Sequence, residues 1–152
     1  MQIDPAMVLA YFAQAFDEMD AVLDRLGGEQ LNVRPFGPET NSISALVMHS
    51  TEVTEFWLGH VGLGRPTTRQ RDLEFSHEAD EAELRERIAR ARAAAEAYVP
   101  RLEAGKGTPS PVRATLVGDE SDGSIVIHVL EELYQHVGHM DITADALLAR
   151  PD

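Results

Sequence analysis

The sequence has no cysteine among its 152 residues, which excludes disulfides, a thiol nucleophile and thiolate metal ligands. Any metal site must be built from His, Asp and Glu, and any thiol chemistry must use a thiol from another molecule. No run approaches the 18 or so uncharged apolar residues of a membrane span, and the first residues lack the basic start and apolar run of a signal peptide. These absences predict a cytoplasmic protein that does not enter a membrane.

Basic residues are also scarce, with 13 Lys and Arg against 26 Asp and Glu and a formal net charge of −13. Binding to a phosphate backbone requires clustered Lys and Arg. Nucleic acid is therefore not expected as a partner, and a small-molecule substrate is. The length suits one domain over residues 1–152, with a single hydrophobic core.

Four stretches repeat their apolar residues with a period near 3.6, which predicts amphipathic helices over about 4–27, 42–61, 80–102 and 124–149. Each start offers a residue that can cap a helix, and Pro100 should fray the end of the third helix. The predicted caps are Asp4 followed by Pro5, Asn41 or Ser42, Asp80 with Glu83 in capping-box spacing, and Asp122 or Ser124.

The connections between these helices are polar and rich in Pro and Gly. Residues 31–40 form a loop, with one short turn expected at 28–32. Residues 65–77 are interpreted as a crossover loop with a strand-like piece at 73–75, and 112–117 could be extended but has no partner strand. The sequence therefore predicts an all-α fold, a four-helix bundle with long crossover connections.

The fourth helix holds an unusual group of polar residues beside its apolar stripe. His128, Glu132, His136 and His139 fall within one arc of about 80° around the helix axis. Glu132 and His136 are four residues apart, so one carboxylate oxygen and one imidazole nitrogen can point to the same place. Buried side chains of this kind need hydrogen-bond partners or a metal, which leaves a polar network and a metal site as the two interpretations.

Familiar metal motifs are missing from the sequence. It has no H-E-x-x-H, which disfavours a zincin protease, and no pair of E-x-x-H motifs, which disfavours a di-iron bundle. A mononuclear site with two ligands from the fourth helix and one from another helix fits better. His49, at the edge of the second helix's stripe, is the strongest outside candidate, whereas His60 and His77 are interpreted as structural.

Two segments resemble one known family. The run 39–49 (ETNSISALVMH), followed by Trp57, and the run 128–141 (HVLEELYQHVGHMD) resemble the DinB/YfiT-like superfamily, in the direction of its mycothiol-dependent maleylpyruvate isomerase-like branch. The resemblance covers nearly the whole chain, and it implies a four-helix bundle that holds one divalent metal, often zinc or nickel. The resemblance implies that the ligands are His49, Glu132 and His136. His139 or His128 could replace or join them.

The resemblance also implies an activity, namely S-transfer or thiol-assisted isomerisation with a low-molecular-weight thiol such as mycothiol or bacillithiol as cosubstrate. His139 is the first candidate for a catalytic base or a residue that orients a ligand, ahead of His128 and Glu52. Two other functions stay open: a non-catalytic metal-binding or structural bundle that could form a homodimer, and a metal-dependent hydrolase.

Positive charge near the site would favour an acidic thiol. Three arginines on the predicted loops are candidates for that purpose: Arg34, Arg65 and Arg113.

Overall fold

A computed structural model describes residues 3–102, 116 and 122–149 of the chain. Within these residues the regular structure is entirely helical, which confirms the predicted all-α class. The α-helices, numbered along the chain, are α1 (Pro5–Asp24), α2 (Ile43–Thr54), α3 (Arg71–Glu74), α4 (Glu81–Tyr98) and α5 (Asp122–Leu148).

Three of the four long helices begin at a predicted cap. The exception is α5, which starts at Asp122, so that Asp122 and Ser124 lie inside the helix instead of before it. A side-chain cap satisfies a backbone N–H that has no partner within the first turn of a helix. The observed caps are Asp4, which accepts from the N–H of Ala6 at 2.8 Å, Ser42 from Ala45 at 3.2 Å, and Asp80 from Glu83 at 2.9 Å.

The second predicted helix changes its form halfway along. After Thr54 the chain continues as a π-helix over Glu55–Gly62, whose turns are wider than those of an α-helix. Gly59 allows this segment to pack closely on α4, because a Cβ atom at that position would lie 3.0 Å from Cε2 of Tyr98. The π-helix carries Trp57, which is buried against α5.

The connections differ from the sequence prediction in one important place. The piece at 73–75 was predicted to be strand-like, and this was wrong: Arg71–Glu74 form the one-turn helix α3, with Glu74 buried. The short turn expected near 28–32 is present as a 3-10 turn at Gly28–Gln30, and Pro100 lies in a 3-10 turn that follows α4. The segment 112–117 lies outside the described residues except for Leu116.

The long helices pack as a bundle in which α1 and α2 each contact both α4 and α5. This arrangement places α1 opposite α2 and α4 opposite α5. The apolar stripes meet along the axis of the bundle and exclude water there. Among the largest fully buried side chains are Phe12 and Phe16 from α1, Leu46 from α2, Ile88 from α4 and Ile125 from α5. The contact between α2 and α5 brings the polar group of α5 against the second helix.

Candidate metal centre

Three side chains converge where α2 packs against α5. Nε2 of His49 and Nε2 of His136 each lie 3.3 Å from Oε2 of Glu132. The possible ligand atoms of these three residues all lie within 4.8 Å of one another. The positions predicted separately on two helices are thus brought to a single point by the packing of the helices.

Helix geometry explains how α5 supplies two members of this cluster. Glu132 and His136 are one turn apart on the same face of α5, so their side chains reach the same place. His49 comes from the facing side of α2, where its side chain is only 5% exposed. The rings of His49 and His136 meet edge to face, with centroids 4.7 Å apart.

The carboxylate of Glu132 lies between the two imidazoles. Hydrogen bonds with His136, which has the largest effect, and with His49 hold the pKa of Glu132 far below its usual range, although burial acts in the opposite direction. Glu132 is therefore ionised at neutral pH, which is the state in which a carboxylate binds a metal.

The cluster fits a divalent metal in the chemistry of its donor atoms. Two imidazole nitrogens and one carboxylate oxygen are the ligands of many catalytic zinc sites, which keep a further position open for substrate. Nδ1 of His136 is buried and has no hydrogen-bond partner among the described residues, although buried polar atoms normally have one. Nδ1 is not the nitrogen that faces Glu132, so the fit of a metal rests on the three donor side chains alone.

A second acidic residue, Glu74 of α3, contacts the cluster from behind His49. Its Oε2 atom lies 2.7 Å from Nδ1 of His49, and Glu74 itself is 1% exposed. Arg69 donates to both oxygens of this carboxylate, from Nε at 2.6 Å and from Nη2 at 3.1 Å. Glu74 and Arg69 were not predicted from the sequence, because their segment has the composition of an irregular loop and no spacing rule connects them to His49.

The contacts among Glu74, Arg69 and His49 determine the charges of Glu74 and His49. Burial raises the pKa of Glu74, but hydrogen bonds with His49 and Arg69 outweigh it and leave the pKa below its ordinary value. Burial lowers the pKa of His49, and the hydrogen bonds with Glu132 and Glu74 outweigh it, so that the net shift is upward. Without a metal, the two carboxylates on either side of His49 favour its protonated form.

The other two histidines of the arc lie outside the converging set. The ring of His139 stacks beside that of His136, with centroids 6.3 Å apart, and burial followed by the charge of His136 lowers the pKa of His139. His128 packs edge to face on Trp57, and its Nε2 lies 3.8 Å from Oε1 of Glu132. Both histidines therefore border the cluster, one turn away from its centre along α5.

Comparison with known protein families adds an independent finding. The family model described as Mycothiol-S-transferase matches residues 7–147, which includes nearly all of the four long helices and the whole cluster. The chain belongs to this family. The suspected relationship to the mycothiol-dependent branch is therefore confirmed. A comparison with curated proteins finds no significant match for this mycothiol S-transferase family member.

Among solved structures, the family member is similar to a chain described as the conserved protein of locus from Enterococcus faecalis. The two share 12% sequence identity with a TM-score of 0.69, and the match covers 99% of this chain and 100% of the other. At this level of identity the likeness shows a shared fold and no more.

The remaining sequence candidates lie elsewhere in this mycothiol S-transferase family member. Glu52 pairs with Arg87 at 3.5 Å and lines a separate cleft of about 150 Å³. His60 contacts the backbone oxygen of Arg65 at 2.6 Å, and His77 contacts Glu83 at 2.9 Å. None of these residues is part of the converging set.

The predicted loop arginines do not contact the cluster where the structure describes them. Arg34 donates to backbone oxygens of Thr40 and Phe75, and Arg65 lies over the ring of Tyr98. Arg113 lies outside the described residues. Arg69 is instead the arginine that reaches the site, through Glu74. Within the described part of the chain, no helix is long and apolar enough to cross a membrane.

Proposed function

We propose that this family member is a metal-dependent enzyme that transfers a low-molecular-weight thiol of the mycothiol or bacillithiol type to a small electrophilic substrate. His49, Glu132 and His136 are the proposed ligands of one divalent metal, zinc or nickel. The single observation that carries this proposal is the convergence of these three side chains from two helices. The match to the Mycothiol-S-transferase family over residues 7–147 supports the choice of a thiol.

The chemistry requires a thiol to lose its proton before its sulfur reacts. A bound divalent metal acts as a Lewis acid that lowers the pKa of a thiol or polarises a carbonyl group. The protein itself provides no thiol, since it has no cysteine, and a small thiol from solution must supply the sulfur. In S-transfer a sulfur–carbon bond forms, the bond from that carbon to the leaving group breaks, and the thiol proton departs with the leaving group.

His139 is the proposed base for that proton. Its pKa is lowered by burial and by the charge of His136, so the imidazole is neutral at pH 7 and can accept a proton. Its ring lies beside the ring of His136, whose Nε2 faces Glu132. After accepting the thiol proton, His139 can give it to the leaving group, which returns the imidazole to its neutral form.

The ionised Glu132 and the edge of the Trp57 indole give the site two different surfaces. Glu132 balances the charge of the proposed metal, and Trp57, only 7% exposed, packs against His128, which lies beside Glu132. An apolar wall limits access of water and strengthens electrostatic interactions within the site. This combination favours transfer of a sulfur nucleophile over attack by water.

Elemental analysis tests the ligand set directly. We expect about one zinc or nickel per chain in untagged wild type, and loss of most of that metal in His49→Ala, Glu132→Ala and His136→Ala. His60→Ala is the matched control, because His60 is an exposed histidine with a backbone partner and should leave metal content unchanged. A wild type that takes up neither zinc nor nickel would overturn the ligand proposal and leave a hydrogen-bonded polar network.

Activity assays then distinguish the functions. The metal-loaded protein should consume mycothiol or bacillithiol in the presence of an electrophile and form the thioether, with no product when the thiol is omitted. Product formation without any thiol would instead favour a metal-dependent hydrolase. Metal binding with no turnover of either kind would favour a structural bundle.

A further inference from the structure

The buried pair of Arg69 and Glu74 lies next to the proposed ligand His49 but contacts neither of the other two. Glu74 uses both carboxylate oxygens: Oε2 accepts from Nδ1 of His49 at 2.7 Å and from Arg69 at 3.1 Å, and Oε1 accepts from Arg69 at 2.6 Å. An ionised carboxylate can only accept hydrogen bonds. The proton between Glu74 and His49 is therefore carried by Nδ1 of His49.

We propose that Glu74, held in place by Arg69, is a positioning residue that fixes the tautomer and orientation of the His49 ring for metal binding. This inference rests on the proposed metal site. With the proton fixed on Nδ1, only Nε2 can offer a lone pair, and Nε2 is the atom that faces Glu132. Metal-binding histidines commonly donate their other ring N–H to a carboxylate, which also raises the basicity of the ligand.

The surroundings of the pair support a role in placing the ring. Phe75, the residue after Glu74, packs against the His49 ring with centroids 4.9 Å apart, while His136 meets the same ring edge to face. The guanidinium of Arg69 lies over the ring of Phe56, 5.0 Å from its centroid, which ties the pair to the π-helix. The His49 ring is thus held by contacts on its nitrogen and on its faces.

Burial of the pair argues against an incidental surface contact. The side chains of Arg69 and Glu74 are 9% and 1% exposed, and removing charged groups from water is costly unless each polar atom is matched. Here every carboxylate oxygen has a charged or polar donor. The crossover segment that carries α3 is therefore, in this proposal, a part of the metal site that the long helices alone would leave incomplete.

The test compares Glu74→Gln and Glu74→Ala with a chemically matched control. Glu83 also lies between a histidine and an arginine, with His77 Nε2 at 2.9 Å and Arg87 Nε at 3.0 Å, but it is not part of the converging set. Zinc affinity is measured by competition with a chromophoric chelator. We expect Glu74→Ala to lose about 10- to 100-fold in affinity and Glu74→Gln to lose less, while Glu83→Gln stays at the wild-type value.

A second readout reports on the ring itself. In the zinc-loaded wild type, NMR should show a slowly exchanging Nδ1–H proton of His49, shifted downfield by its bond to a carboxylate. This signal should disappear in Glu74→Ala, and the absorption spectrum of the cobalt-substituted protein should change. Circular dichroism of the metal-free variants checks folding, and the isosteric Glu74→Gln provides the comparison should Glu74→Ala not fold.

The outcomes separate this inference from the function on which it rests. A wild type that binds no metal would overturn both. Suppose instead that the wild type binds zinc and that the folded variants Glu74→Gln and Glu74→Ala keep its zinc affinity and its cobalt spectrum. That result would overturn only the positioning role of Glu74. Lower thermal stability of the metal-free variants at unchanged affinity would give Glu74 a purely structural role, which also contradicts the proposal.

Discussion

The indole of Trp57 meets the imidazole of His128 edge to face, with ring centroids 4.6 Å apart. Trp57 is the only tryptophan of the chain, and His128 Nε2 lies 3.8 Å from Oε1 of Glu132. The fluorescence of Trp57 can therefore report on the proposed metal site through one intervening side chain.

We expect zinc to change the fluorescence of the wild type and to saturate at about one equivalent, because engagement of Glu132 alters the charge next to His128. Glu132→Ala should show no such response, and His77→Ala should respond like the wild type. An unchanged emission in protein that elemental analysis shows to be loaded would contradict this coupling.

The stability of the metal-free protein should depend on pH through His49. Its pKa is raised in the fold because the hydrogen bonds with Glu132 and Glu74 outweigh burial. The stabilisation is fully present below the unfolded pKa of about 6.5 and is lost as the pH rises through the folded value. Urea unfolding in EDTA between pH 6 and 9 should show this decline, and His49→Gln should flatten it.

The acid side of the same profile has the opposite sign. The pKa values of Glu132 and Glu74 are lowered in the fold, so their contribution is present above the unfolded value of about 4.5 and is lost as the pH falls further. Urea unfolding below pH 5 should show the loss, and Glu132→Gln should reduce it. A wild-type profile that is flat in both directions would contradict the charges assigned to the cluster.

Metal affinity should increase with pH over the range in which His49 loses its proton. A metal and a proton compete for Nε2 of His49, whose pKa lies above its ordinary value. Chelator competition at several pH values should show tighter zinc binding as the pH rises from 6 to 8, with proton release on binding. A pH-indicator dye in an unbuffered solution would detect the protons that are released when zinc binds.

The proposed base can be separated from the proposed ligands. His139→Gln should keep the metal content of the wild type while lowering kcat by about 10²- to 10⁴-fold, since it removes a proton acceptor and no ligand. The decrease of kcat at low pH should also disappear in this variant. In the wild type we expect that decrease to come from protonation of His139, whose pKa is lowered. Loss of metal in this variant would instead place His139 among the ligands.

The bundle core makes a prediction that is independent of function. Ile125 is fully buried on α5, whereas Ile127 on the same helix is 65% exposed. Ile125→Ala should lower the free energy of unfolding by about 2–5 kcal/mol through lost burial and a cavity. Ile127→Ala should change it by no more than about 0.5 kcal/mol. Equal effects in urea unfolding would contradict the packing described for α5.

Local sequence was enough to predict the long helices. Asp4, Ser42 and Asp80 cap the helices that follow them, because capping depends on a side chain and a backbone N–H only two or three residues away. The pairing of Glu132 with His136 was also predictable, since one helical turn fixes their relative positions. His49 was already the strongest candidate outside α5, and the family resemblance made it the third ligand. The structure brings all three residues together.

Glu74 shows where such reasoning fails. Leu73, Glu74 and Phe75 have the alternation of a short strand, yet they lie at the end of a one-turn helix with the glutamate buried. The partners that make this burial tolerable are Arg69 and His49, and the latter is 25 residues away in sequence. A local pattern contains no information about such a partner, so the tertiary contact overrides it.

The sequence by itself determined the helical class, most helix starts and the face of α5 on which Glu132 and His136 stand, because all of these depend on neighbours within one or two turns. Only the tertiary structure decided that α1 lies opposite α2, that α2 brings His49 to that face, and that α3 closes it from behind. These relations depend on which apolar stripes pack together and on which buried charges find partners, and both are properties of the folded chain.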